Sequence, residues 1–156
     1  MDRNVSQAVG DYDLGQVAVF GSSGTPINIT NQVKEINIYQ DIDTPFITGT
    51  LVISDAAAVS EITPFLGQER LVFTLKTPGG FPLNFTDYHA VIFNVERRFQ
   101  DSDRSQTLLL NFTTLECYRN IRTKISRSFS TNISEMAYEI LKSEEFLGTK
   151  KSVYID

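Results

Sequence analysis

Cysteine and histidine are nearly missing from this 156-residue chain, which has only Cys117 and His89. A single thiol closes no internal disulfide and builds no cysteine-based zinc site. Long apolar runs are missing too. Stretches such as Leu108-Leu109-Leu110 fall far short of the ~20 residues needed to span a bilayer. No apolar segment follows Met1-Asp2-Arg3-Asn4, as a secretory signal would require. Basic residues are outnumbered 14 to 19, and a net charge of −5 argues against nucleic acid as the main partner, because phosphate binding draws on a cationic face. These absences predict a soluble protein of a reducing compartment, with no stable membrane binding.

What is present is ordinary globular composition. With 41% hydrophobic and 21% charged residues, the chain is neither disordered, collagen-like nor a coiled coil. Its length suits one domain, or one domain and the start of another. The charge is unevenly spread. Residues 1–103 hold 6 basic and 13 acidic residues, a net −7, whereas residues 104–156 hold 8 and 6, a net +2. Arg119, Arg122, Lys124 and Arg127 lie in a stretch without an acid. Such asymmetry marks binding surfaces, and with an acidic chain it points to a protein–protein contact or a solvated face. These four residues are the candidate interface.

Residues 1–15 show no period and read as a flexible N-terminal arm. Residues 16–20 form a short β-type run, closed by the loop Gly21-Ser22-Ser23-Gly24-Thr25-Pro26. A period of two then places Ile36 and Ile38 on one face, with Lys34 and Gln40 at the ends of that stripe and Glu35 and Asn37 opposite. Across the turn Asp41-Ile42-Asp43-Thr44-Pro45, a second strand puts Ile47, Gly49, Leu51 and Ile53 on one face. Asp55 is placed to cap a short helix over residues 56–62. Residues 69–77 alternate Leu71, Phe73 and Leu75 against Val72, Thr74 and Lys76. A hairpin of residues 89–99 and 106–114 is expected to turn Val91, Phe93 and Val95 inward on one arm and Leu108, Leu110 and Phe112 on the other.

After Thr114 the pattern becomes helical. Residues 115–125 read as a helix running into the basic stretch. Ile133, Met136, Ala137, Ile140 and Leu141 then sit at helical spacing and are expected to pack inward, with Glu139 and Lys142 exposed. Asn132 and Glu135 make a capping-box-like start. Residues 151–156 resemble a new strand that nothing follows, which suggests an incomplete functional unit. The expected fold is mainly β with flanking helices, an antiparallel barrel or sandwich over residues 16–115. Residues 116–156 form a helical connection and the start of a following domain.

Catalytic chemistry finds little support. His89 sits in no motif, and a hairpin-end histidine is the simpler reading. Arg119 and Arg122 could lower the pKa of Cys117, yet free cysteines are usually buried and inert. The glycine loop at 21–25 lacks the Lys-Ser/Thr ending of a phosphate loop. Asp11-Tyr12-Asp13 and Asp101-Ser102-Asp103 begin like calcium loops and lack the rest of the ligand set. The Asn-x-Thr/Ser patterns at Asn28, Asn84, Asn111 and Asn132 carry no weight without a secretory signal. The expectation is therefore no enzyme, no metal and no cofactor.

Three stretches in order carry a resemblance. They are Ile36-Asn37-Ile38-Tyr39-Gln40-Asp41-Ile42 with Thr48-Gly49-Thr50-Leu51-Val52-Ile53-Ser54-Asp55; Gly67-Gln68-Glu69 leading to Phe73-Thr74-Leu75-Lys76-Thr77-Pro78-Gly79; and Lys124-Ile125-Ser126-Arg127-Ser128-Phe129 before the helix that begins at Ile133. In order and spacing the chain resembles the N-terminal part of the baseplate hub protein of contractile-tailed bacteriophages (myoviruses), over residues 33–155. The resemblance implies a tail-tube-like β domain. It also implies a homotrimeric ring around the tail channel, in which each subunit of the family supplies two such domains. Only the first would be present here. It further implies a virion location in the baseplate after assembly in the host cytoplasm. The implied partners are other copies of the chain, a central spike protein, tail tube or tube-initiator proteins and other baseplate proteins, with DNA only passing through the channel. The competing expectation is a β-rich carbohydrate- or peptide-binding module.

Overall fold

The computed structural model describes residues 12–55, 65–77, 79–88, 90–102 and 105–155, without the side chains at 97, 98 and 100–102. The helix expected at 56–62, His89 and most of the N-terminal arm lie outside the described residues. The β part runs through β1 (Asp13–Leu14), β2 (Ala18–Phe20), β3 (Pro26–Asn28), β4 (Val33–Tyr39), β5 (Thr48–Asp55), β6 (Arg70–Val72), β7 (Thr74–Lys76), β8 (Leu83–Asn84), β9 (Ala90–Ser102) and β10 (Ser105–Thr114). Two helices follow, α1 (Leu115–Arg122) and α2 (Ile133–Lys142). The protein is mainly β with two helices, in two antiparallel sheets. The seven-stranded sheet has the order β3-β2-β6-β9-β10-β5-β4, and the smaller sheet the order β1-β7-β8.

The two sheets are continuous through the chain. β1 and β7 pair in the small sheet, and their extensions β2 and β6 pair in the large one. The chain passes between sheets at Val17 and Phe73, both fully buried. Phe73 stacks on Phe85, with ring centroids 4.5 Å apart, and meets the edge of Phe112 at 5.7 Å. Asp13 and Leu14, in the stretch read as an arm, thus belong to a ladder opposite Lys76 and Leu75.

The large sheet is rolled. Its edge strands β3 and β4 are consecutive in the chain and joined only by residues 29–32, which include a 3-10 turn at Thr30–Gln32. A flat sheet of seven strands would separate its edges by about 29 Å, whereas the step from Asn28 to Val33 reaches at most about 18 Å even fully extended. The sheet must therefore curl until its edges approach, and fully buried Ile29 fills the space between them. Among the described residues no ladder joins β3 to β4. Leu51, Ile53, Leu71, Ile92, Leu108, Leu110 and Phe112 share the enclosed core.

The β4–β5 hairpin has the expected register, with Ile36 opposite Leu51 and Ile38 opposite Gly49. Leu51 and Ile53 are fully buried, and Ile36 and Ile38 pack against the core. Gly49 is required where it lies, because a Cβ there would run into the Phe112 ring and the Asn37 carbonyl. Outside the core, Asn37 donates to Glu35 at 2.7 Å and to Thr50 at 3.1 Å. One end of the stripe differs from the alternation: Val33 pairs with Ile53 and Glu35 with Val52, so Lys34 is a bulge and Val33 continues the apolar face.

Bulges also correct β9. Its partners run from Ile92 to Asn94 and from Val95 to Arg97 across single steps of β10, so Phe93 and Glu96 are extra residues. Each extra residue flips the parity of all that follows. Ala90, Ile92 and Val95 face the core, whereas Phe93 is 47% exposed, against the inward position expected for it. On β10, which has no such insertion, Leu108, Leu110 and Phe112 are fully buried as expected.

The strand expected at 69–77 is split by the crossing between sheets. Its alternation survives, with Leu71 and Phe73 buried and Leu75 packed on the core. Residues 151–155 form no strand. They run beside α2, where the Lys151 carbonyl accepts a bond from Lys142 Nζ at 2.6 Å, and among the described residues no strand pairs with them.

Candidate functional site

The basic stretch begins on α1, which grows out of β10 without a loop and lies against β9 and β10. α2 is set by its cap: Asn132 Oδ1 accepts the Glu135 amide at 2.8 Å, satisfying one of the free N–H groups of the first turn. The chain then folds back on the end of α2, with the Leu147 amide donating to Ile140 and the Thr149 amide to Leu141. Gly148, at φ +55°, makes that reversal possible.

This return turn covers only the second half of α2. Met136, Ala137, Ile140 and Leu141 are half-buried, as the helical spacing expects. Ile133 is 80% exposed, contrary to the expectation, because it precedes the part of the helix that the turn reaches. Glu139 and Lys142, expected in solvent, are half-buried through their bonds to Arg127 and to the Lys151 carbonyl.

The four candidate basic residues divide into two kinds. Arg119 Nη1 donates to the Leu147 carbonyl at 3.0 Å and lies within 3.5 Å of that of Gly148, tying α1 to the return turn. A Cβ on Gly148 would collide with this guanidinium. Arg127 pairs with Glu139, reaches Glu145 at 3.6 Å, and lies over the Phe129 and Phe146 rings at 4.8 and 5.0 Å. Both hold the helical part together. Arg122 and Lys124 face solvent. Among the described residues, Arg122 bonds its neighbour on the helix, donating to the Tyr118 hydroxyl at 3.0 Å. The structure thus brings Arg119 and Arg127 into internal contacts and leaves Arg122 and Lys124 exposed.

Beneath them lies a cross-link that the sequence does not announce. Glu116 accepts from the Thr149 hydroxyl at 2.6 Å and from Lys151 Nζ at 3.3 Å. Burial pushes its carboxyl up, but the hydrogen bonds from Thr149 and the backbone and the Lys151 charge outweigh burial and hold it below its ordinary value. Only the three-dimensional return of residues 149–151 creates this environment.

The Gly67-Gln68-Glu69 motif has a clear local task. The buried Glu69 carboxylate accepts the amides of Leu66, Gly67 and Gln68 at 2.6, 3.0 and 3.2 Å. Gly67 takes φ +91°, and a Cβ there would stand 3.0 Å from the carbonyl oxygen of the bulged Phe93. The loop and the bulge are therefore fitted to each other. Two of the Asn-x-Thr patterns are turn chemistry as well. Asn28 accepts the Thr30 amide at 2.9 Å and Asn84 the Thr86 amide at 2.8 Å.

Among the described residues no group of three or more His, Cys, Asp or Glu could hold a metal ion. Cys117 is half-buried on α1. Among the described residues, no helix is long and apolar enough to cross a membrane. Open hollows among the described residues include one of about 500 Å³ between Tyr138 and Tyr154, one of about 450 Å³ at Tyr39, Asp41 and Phe46, and one of about 340 Å³ along Tyr118 and Arg122. Two described surface patches combine charge with exposed apolar residues: the basic end of α1 with the segment after it, and the acidic β4–β5 tip. No family model and no curated protein matches the chain.

Proposed function

We propose that this chain is a structural, non-catalytic component of the baseplate hub of a contractile phage tail, contributing a tail-tube-like β domain to a ring around the channel. In this reading the rolled antiparallel sheet forms the ring wall, and the helical part presents Arg122 and Lys124 to neighbouring copies or to spike and tube proteins. One observation supports it most: the ordered motifs behind the resemblance fall on a strand pair, a fitted loop and bulge, and the irregular segment leading into a capped helix. Open sheet edges suit such a role, since a long unpaired edge such as β4 is covered in a working assembly.

The test is incorporation. Arg122→Glu with Lys124→Glu should leave the isolated protein folded, since neither residue holds the fold, yet reduce its presence in purified baseplates. Interfacial charge governs encounter and register more than raw affinity. Undiminished incorporation removes these residues from the interface. A chain absent from wild-type tails refutes the hub reading and turns attention to a β-rich binding module.

A further inference from the structure

We infer that the β4–β5 hairpin tip of one copy docks on the end of α1 and the segment that follows it in a second copy. This contact rests on the assembly reading above and supplies the self-interface it needs. The tip carries Ile42, which is 99% exposed, between Asp41 and Asp43. It is preformed, because the Asp43 amide donates to Asp41 Oδ1 at 2.9 Å. The end of α1 and the segment after it carry the complementary pattern, with Arg122 and Lys124 between Ile121, 75% exposed, and Ile125, 41% exposed. Among the described residues neither aspartate forms an ion pair in its own chain, and Lys124 has no partner. An apolar residue flanked by acids thus faces apolar residues flanking bases. The hollow beside the tip, lined by Tyr39, Asp41 and Phe46, offers walls for an isoleucine.

Placement on the fold favours a head-to-tail repeat. Tyr39 pairs with Thr48 and Thr48 with Thr113, so the tip and the start of α1 leave the same rim of the sheet. Such a contact is heterologous: each copy gives a tip and receives one, and closure makes a ring. The partner is therefore another copy of this chain, recognised by charge of opposite sign around an apolar centre.

Charge exchange in the full chain tests it, with self-association measured by sedimentation at low salt. Asp41→Lys with Asp43→Lys should weaken association about tenfold or more, and so should Arg122→Asp with Lys124→Asp. The fourfold variant should regain most of the loss, and added salt should weaken the wild type. Circular dichroism verifies that each variant is folded; should a reversal unfold the chain, Ile42→Ser replaces it and is expected to weaken association similarly. A monomeric wild type, association insensitive to both reversals, or two losses that the fourfold variant does not restore each overturn the contact. Insensitive oligomers that still enter tails refute this contact alone. A functioning charge exchange in a chain absent from tails supports the contact and refutes the hub reading.

Discussion

Three consecutive amides, those of Leu66, Gly67 and Gln68, converge on the Glu69 carboxylate, so this one side chain decides whether the loop before β6 is satisfied. Glu69→Ala would leave three partly buried amides without their acceptor, at a cost of about 1–3 kcal/mol, measurable as a lower urea midpoint. Gly67→Ala should also destabilise, through its left-handed backbone and the nearby Phe93 carbonyl. Equal stability of the Gly67→Ala variant would contradict the fitted loop and bulge. Glu116 acts through pH. Because its folded pKa is depressed, its contribution is full above about 4.5, the usual glutamate value, and is lost as pH falls through the lower folded value. Melting curves from neutral to acid pH should therefore fall less steeply on the acid side for Glu116→Gln than for the wild type.

At the scale of elements, α2 depends on its first turn. Asn132→Ala should cost about 1 kcal/mol by freeing the Glu135 amide, read as a drop in melting temperature. Met136→Asp should also destabilise, though less than in a closed core, since Met136 is only half-buried. How much of each element the sequence reveals follows from what sets it. Strict alternation identifies β5 and β10, whose inner residues are fully buried. The cap and the 3.6 period identify α2. Alternation cannot identify the extra residues Lys34, Phe93 and Glu96, because a bulge is a decision of the paired strand and not of local preference. For the same reason Arg119 and Arg127 read as surface cations in one dimension. Only the return turn around Gly148 brings to them the carbonyls and glutamates they bind.

At the scale of the whole molecule, one core unites the two sheets, and Phe73 is its pivot. Phe73→Ala should cost about 3–5 kcal/mol, enough to threaten folding of a domain of ordinary stability. The rolled sheet, with four residues between its edge strands in the chain, has β4 as its long edge among the described strands. The hub proposal gives that edge its purpose. Its most direct test is a cryo-electron reconstruction of the assembled tail, with density for this chain identified by fitting the sheet and α1. The account predicts copies arranged in a ring around the axial channel at the junction of tube and spike, each hairpin tip against the α1 of the next. The chain found away from the axis, or as isolated monomers with an occupied binding pocket, would contradict it.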